Sequence, residues 1–241
     1  MSALLRRIGS GLLAFIAVCP LLYLMALAVA GRWPAPRLIP ESWRFDRLQA
    51  VLSDASGLGS SLLLSLWIAT VVAAVATALG FITSRHLAFA RRRQAWLLLT
   101  YLPFAFSPLV LATCLLYFFL RAHLAGTVTG VIVAQLIITY GFATVLQLGV
   151  WNAEKRGLEE VARSLGATPR QVFWNVLVPS ALPLIRVCFL QTFLVSWVQY
   201  GLTLTIGGGK VRTLPLRVFN YAFEADPGYA AVAGLLLMLP P

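Results

Sequence analysis

Acidic residues are scarce in this chain, with eight Asp and Glu among 241 residues. None lies between Asp54 and Glu154, and none between Glu160 and Glu224. Soluble domains carry roughly 25% charged residues; here 11% are charged and 60% are hydrophobic. That is membrane composition. The shortage excludes several chemistries. Ion-driven carriers commonly place Asp, Glu or His inside their spans, and the apolar runs after residue 58 hold no carboxylate. Intramembrane proteolysis lacks its acidic pair or metal cluster. The two histidines, His86 beside Arg85 and His123 just after Arg121, sit at the ends of apolar runs, where solvated or interfacial imidazoles are ordinary. Cysteine is also sparse. Cys19, Cys114 and Cys188 are far apart, odd in number and without metal-ligand spacing, so they read as buried, inert thiols. There is no internal repeat and no low-complexity tract.

What the chain does carry is positive charge, +11 net. Nucleic acid is not the reading. The basic residues cluster at the ends of apolar runs, where they face head groups and cytoplasm. The aromatic residues lie inside those runs rather than interleaved with a basic stripe.

A spanning helix needs about 20 largely apolar residues. Five stretches meet that: Ile8 to Ala30, with a kink expected at Pro20, one within Gly59 to Ser84, one within Gln94 to Leu120 carrying Pro103 and Pro108, one within Leu124 to Trp151, and Leu184 to Ile206. A sixth begins near Tyr229, but only 13 residues remain, about 20 Å of helix. We expect an unfinished last span and a fragment or truncated product. The first run has a rival reading as a secretory signal, because "RR" precedes it and "AVA" closes it. Its 23 uncharged residues exceed the usual signal core, which favours a retained span. Short-loop positive charge sets orientation. Ten basic residues fall in one set of loops and eight in the other, and the "RRR" block at 91–93 tips the first set, and the N-terminus, to the cytoplasm. The expected fold is an all-α polytopic bundle with five full spans, a truncated sixth and a cytoplasmic two-helix loop. Residues 1–58 form the first span and an extracytoplasmic loop, and 59–241 the main domain.

One polar segment interrupts the apolar sequence: "EEVARSLGATPRQVFWNVLVPSALP", Glu159 to Pro183. Leu158, Val161, Ala162 and Leu165 fall at i, i+3, i+4 and i+7, one helical stripe. Glu159 and Glu160 near the start suit the helix dipole. Gly166 ends the helix, since glycine takes the left-handed C′ conformation cheaply. Thr168 is an N-cap, Pro169 fits the first helical position, and Gln171 completes a capping box. Val172, Phe173, Val176 and Leu177 form a second apolar face. Pro179 should end or kink that helix. The two apolar faces have two uses open to them: packing back onto the bundle, or filling a cleft on another protein.

These residues resemble the EAA loop of ABC importer permeases, the binding-protein-dependent inner-membrane components with a type-1 transmembrane domain. Glu160, Ala162, Gly166 and Pro179 match the pattern. Val161 departs where the family usually has Ala, and Val178 where it usually has Leu. The resemblance extends over about the last four-fifths of the chain and includes "GGGKVRTLPLRVF". It implies a permease domain over 59–241 with a coupling loop at about 152–183. The loop would dock on a cytoplasmic ATPase subunit, with Phe173 as a buried anchor and Gly166 setting the interhelical angle. It further implies two ATPase subunits, a second permease subunit, an extracytoplasmic binding protein, the lipid bilayer as surroundings and the bacterial inner membrane as location.

The chain is not expected to be an enzyme or to bind a cofactor; ATP belongs on the partner. "IGGGKV" is not a P-loop, because Leu204 stands at the first glycine position and Val211 follows Lys210. Thr192, Ser196, Gln199 and Thr203 share one face of the fifth span, and the fourth adds Gln135 and Thr139, with Tyr140, Thr144 and Gln147 below. This polar face either lines a path or hydrogen-bonds neighbouring helices. In overall look the chain resembles permeases for polyamines, ferric iron, thiamine or phosphonates more than those for sugars. The alternatives are a secondary transporter, opposed by the carboxylate-free spans, and a membrane enzyme or assembly factor, for which no reactive constellation is found.

Overall fold

The computed structural model describes residues 2–31, 33, 40–47, 49, 57–224 and 226–240. Among these the chain is helical, with no strand and one isolated bridge between Ala30 and Trp43. Most of the loop expected after the first span lies outside the described residues. The helices are α1 (Ser2–Val29), α2 (Leu58–Ala88), α3 (Arg93–Tyr101), α4 (Pro108–Arg121), α5 (Val128–Gln147), α6 (Ala153–Ser164), α7 (Pro169–Trp197), α8 (Gly201–Gly207), α9 (Leu214–Phe223) and α10 (Pro227–Met238). Among the described residues, three stretches are long and apolar enough to cross a membrane: α2, 128–150 (α5 with its terminal turn) and α7.

Two expected spans are divided. The third breaks into α3 and α4 around a 3₁₀ turn, Leu102–Ala105. Pro103 opens that turn and Pro108 opens α4, because proline supplies no backbone donor and fits only a first helical turn. The fifth ends at Trp197, and α8 resumes at Gly201. Its new direction lets Leu202 and Ile206 pack with Ala112, Phe119, Ala134 and Ile138 of α4 and α5. By contrast, α1 continues through Pro20.

The chain forms two compact units, 1–65 with 212–241, and 66–211. In the first, α10 packs against both α1 and α9. Ser65 Oγ accepts the Leu214 amide at 2.7 Å, which satisfies a donor at the open end of α9. Arg47 donates to the Ala30 carbonyl at 2.7 Å, and the Tyr221 and Tyr229 rings stack.

In the second unit, α2, α5 and α7 meet through small side chains. Ala76, Ala143 and Cys188 are buried together. A Cβ on Gly80 would lie 2.9 Å from that of Ala143, so only glycine permits this approach of α2 to α5. Cys188 is therefore a buried packing thiol; Cys19 and Cys114, expected buried, lie on outer helix surfaces. An apolar run needs no inward face when its surroundings are lipid. His123 sits at φ +56° after α4. Its amide donates to the Leu120 carbonyl and that of Leu124 to the Phe119 carbonyl, the paired closure of a left-handed helix end.

Candidate coupling site

Helix α6 begins at Asn152, whose side-chain oxygen accepts the Lys155 amide at 3.0 Å. It ends at Gly166, φ +86°. The Gly166 amide donates to Arg163 at 3.0 Å and the Ala167 amide to Ala162 at 3.1 Å, closing the same kind of helix end. A Cβ at Gly166 would meet nothing within 4 Å, so the backbone angle, not crowding, calls for glycine. Helix α7 then starts from Thr168 with the reciprocal capping box to Gln171 in place. The reversal between the two helices takes three residues, Leu165 to Ala167, before that cap.

Pro179 was expected to end or kink the second helix. The helix instead runs on, because Val172–Leu177 is π-helical. The wider turn leaves Pro179 at the start of the renewed α-helical ladder, Val178–Trp197, where its missing donor costs nothing. The loop helix and the spanning helix are thus one continuous element of 29 residues.

The hairpin is tied to the unit at three places. Trp151 Nε1 donates to Ser84 Oγ at 2.8 Å, and its ring lies 5.0 Å from that of Phe81. Lys155 Nζ donates to the Ser180 carbonyl at 3.1 Å. Arg85, at the end of α2, donates to Glu159 Oε1 at 2.6 Å, and Arg163 donates to the same oxygen at 2.6 Å. Glu159 is half-buried while Arg163 is exposed, so the carboxylate is shared between a span and the loop's own turn.

Against this frame the residues of the motif separate. Ala162 is half-buried on the cluster of Phe81, Trp151, Val172 and Leu177. Glu160 points to solvent and pairs with Arg156 at 3.1 Å. Gly166 and Pro179 are exposed. Phe173 faces its own chain, with its ring 5.8 Å from that of Phe81. It is half-buried against that cluster. The apolar side chains left outward are Leu158, Val161, Leu165 and Trp174, with Leu165 82% exposed. The second helix packs back onto the bundle, whereas three of the four stripe residues of α6 stay uncovered. The pattern of the loop pointed to Glu160 and missed Glu159 and Arg85. The adjacent acidic pair "EE", with Arg163 four residues on, was the local signal for Glu159. The link to Arg85, 74 residues away, had none.

The polar face of α7 is brought together with that of α5. Gln135 Nε2 donates to Thr203 Oγ1 at 3.1 Å, and Ser196 Oγ donates to Gln135 Oε1. Thr192 pairs with Thr77 of α2 at 3.2 Å. Thr139 bonds the Gln135 carbonyl one turn back. Gln135, Thr139, Thr192, Ser196 and Thr203 are all buried, and Gln199 is half-buried with its Nε2 unpartnered. Within this chain they form an interhelical seam. Gln147 belongs to its lower end, donating to the Thr77 carbonyl at 3.0 Å. The Tyr140 hydroxyl donates to Thr83 at 2.9 Å.

The described residues thus form a buried polar seam across apolar helices, with a capped amphipathic hairpin at one end. Residues 76–240 match the family model of the binding-protein-dependent transport system inner membrane component, and the chain belongs to that family. It is similar to the molybdenum transport system permease protein ModB of Mycobacterium tuberculosis, with 29% identity over 233 residues, 90% of this chain and 83% of the relative. The maltose/maltodextrin transport system permease protein MalG of Salmonella typhimurium is 32% identical over 210 residues, 77% of this chain and 70% of the relative. The sulfate transport system permease protein CysW of Synechocystis is 28% identical over 157 residues, 57% of each chain. The chain is a permease subunit of an ABC importer, a membrane-embedded multi-pass transport component of a family that works with ATPase subunits and substrate-binding proteins.

Proposed function

We propose that this subunit supplies half of a translocation path and is moved by an ATPase through the hairpin of α6 and the first turns of α7. The observation that carries this is the uncovered stripe of Leu158, Val161 and Leu165 on a helix otherwise rich in charge. Such a face is costly in water and gains on entering a cleft. Glu160 lies beside it for polar recognition, and Gly166 fixes its angle to α7. The continuity of α7 supports the transmission of movement, because a push on Pro169 acts on the same rod that carries Thr192 and Ser196. Arg85 and Glu159 tie that movement to α2.

The assembly consists of two such permeases, identical or related, two ATPase subunits holding ATP and a soluble binding protein. The permease domain runs over 59–241, in the bacterial inner membrane, with the N-terminus and hairpin cytoplasmic. A bundle of more than the three long spans is proposed by joining α3 to α4 as the two halves of one crossing and by letting α7 continue its crossing into α8. Thr192, Ser196, Gln199, Thr203, Gln135 and Thr139 line the path when the seam opens. Among cargoes, polyamine, ferric iron, thiamine and phosphonate join molybdenum, sulfate and maltose as the panel to be screened.

The test is Gly166→Leu in the complete importer reconstituted in liposomes. Forcing a side chain into the left-handed region costs roughly 1–2 kcal/mol. We expect normal insertion and assembly, continued ATP hydrolysis, and loss of hydrolysis-dependent uptake. Uptake at the native rate per ATP would refute the coupling role.

A further inference from the structure

A groove of about 490 Å³ runs between α2 and α7, away from the buried seam. Ala74, Ala78 and Phe81 wall it on one side, and Trp174, Arg186 and Phe189 on the other. The small alanines make it deep, and the aromatic rings make it apolar along its length. Its size is in the range of sites that enclose a small molecule. The Thr77 hydroxyl in its wall is already engaged by Thr192.

Arg186 is the exception in this setting. It lies inside α7, in a stretch from Val161 to Phe223 that holds no carboxylate. Its guanidinium makes no ion pair or hydrogen bond among the described residues. An unpaired cation within a spanning helix is costly, and its persistence points to a counter-ion from outside the chain. Ser180 is bonded by Lys155 of the hairpin, which marks the polar boundary. Arg186 is six residues further in, about 9 Å along the axis. Side chains on a helix lean toward its N-terminus, and for α7 that is the hairpin side. The guanidinium therefore reaches back toward the boundary while Phe189 and Ala74 continue the groove inward. Trp174, 59% exposed, stands at the mouth, the level where indoles gather at bilayer surfaces.

We infer that the groove holds one acyl chain of an anionic phospholipid, with its phosphate paired to Arg186. The apolar walls favour a lipid over a free anion, since a hydrated oxyanion gains nothing from Ala78 or Phe189. The single cation favours an acidic head group over a neutral one. This inference does not depend on the coupling role proposed above; it requires that the groove side of α2 and α7 face lipid while the seam side of α7 faces its own bundle.

The experiment uses the intact importer, exchanged into nanodiscs of equal phosphatidylglycerol and phosphatidylcholine. The lipid kept after detergent re-extraction and gel filtration is counted by mass spectrometry. We expect phosphatidylglycerol to be enriched about fivefold, the scale of one basic residue at an anionic surface. Arg186→Gln should return the ratio to that of the bulk, and Arg186→Lys should keep part of it. Ala78→Leu, which fills the groove and leaves the charge, should release the same lipid and guards against a merely misfolded arginine variant. Unchanged enrichment in Arg186→Gln and Ala78→Leu overturns the inference. So does reversal of the enrichment by inorganic sulfate, which would make the ligand a free anion. Cross-linking of Phe189→Cys to a neighbouring copy would show the groove covered by protein and overturn it too.

Discussion

The hairpin and the seam invert one another. In the hairpin, charge is paired at the surface and apolar side chains stand outward: Leu165 and Val161 are exposed while Glu159 is half-buried. In the seam, Gln135, Ser196 and Thr203 are buried among apolar neighbours and satisfied by one another. The first region leaves apolar surface uncovered, and the second satisfies most of its polar groups within one chain, Gln147 Oε1 and Gln199 Nε2 excepted. The difference shows where free energy is stored. The hairpin holds unspent apolar surface, whereas the seam holds polar groups that open only if something replaces their hydrogen bonds. A cargo with donors and acceptors, or water, can do that. The two regions share one rod, α7, which in the proposed mechanism links docking at its start to opening along its far half.

The largest expected effect breaks the hairpin side. Leu165→Asp places a charge in the proposed interface without touching the fold, because the side chain has no internal packing role. Losing a central apolar contact costs an interface on the order of 2 kcal/mol or more, roughly thirtyfold in Kd. Co-purification of the ATPase subunit with the permease should fall accordingly, while membrane insertion stays normal. Retained co-purification would place the contact elsewhere.

Next is the seam. Gln135→Ala strands the Ser196 hydroxyl and removes a donor from Thr203, which keeps its own bond to the Gln199 carbonyl, and leaving a buried partner unsatisfied costs about 1–3 kcal/mol. Thermal unfolding in detergent should shift down, and adding Ser196→Ala with Thr203→Val should recover part of the loss. If the single and triple variants unfold alike, the seam is not a coupled unit.

A smaller effect is expected at the joint between the regions. Arg85→Ala removes one of two cations from a half-buried carboxylate, worth about 1 kcal/mol or less at a partly exposed pair. Stability should change little, yet uptake per ATP should drop. Exchange of the charges, Arg85→Glu with Glu159→Arg, should restore uptake in part. Failure of every exchange to restore uptake would reduce the pair to a local fastening.

The smallest effect separates the hairpin's turn from an ordinary one. His123 and Gly166 close their helices in the same way, but only one is glycine. His123→Gly should relieve strain and stabilise the protein by up to about 1 kcal/mol, measured as a raised Tm, with uptake unchanged. A fall in Tm would show that the imidazole makes up for its backbone.

Local chemistry made much of this legible in advance. Ser/Thr–Gln spacing places the capping box at Thr168 and Gln171, and glycine before it places the helix end, because both depend on residues within one turn. Hydropathy placed the apolar helices for the same reason, yet it could not show that Pro103 and Pro108 divide a run that is apolar on both sides. Nor could it show Pro179 inside a continuous helix, since the π-helical turn that accommodates it is held by Val172 and Leu177 in the cluster with Phe81 and Trp151. Spacing put Phe173 on an apolar face without saying what that face meets; the same long-range contact turns it toward Phe81.

The sequence by itself determined the membrane class, the hairpin with its caps and the kinship with importer permeases, because composition and one compact motif carry them. Only the tertiary structure decided which side of α6 stays bare, that Glu159 rather than its neighbour bridges to Arg85, that the polar residues of α5 and α7 meet, and that Arg186 faces a groove without a counter-charge. Each of these is a pairing between helices far apart in the chain. Helical periodicity fixes which residues share a face, and packing alone fixes what that face meets.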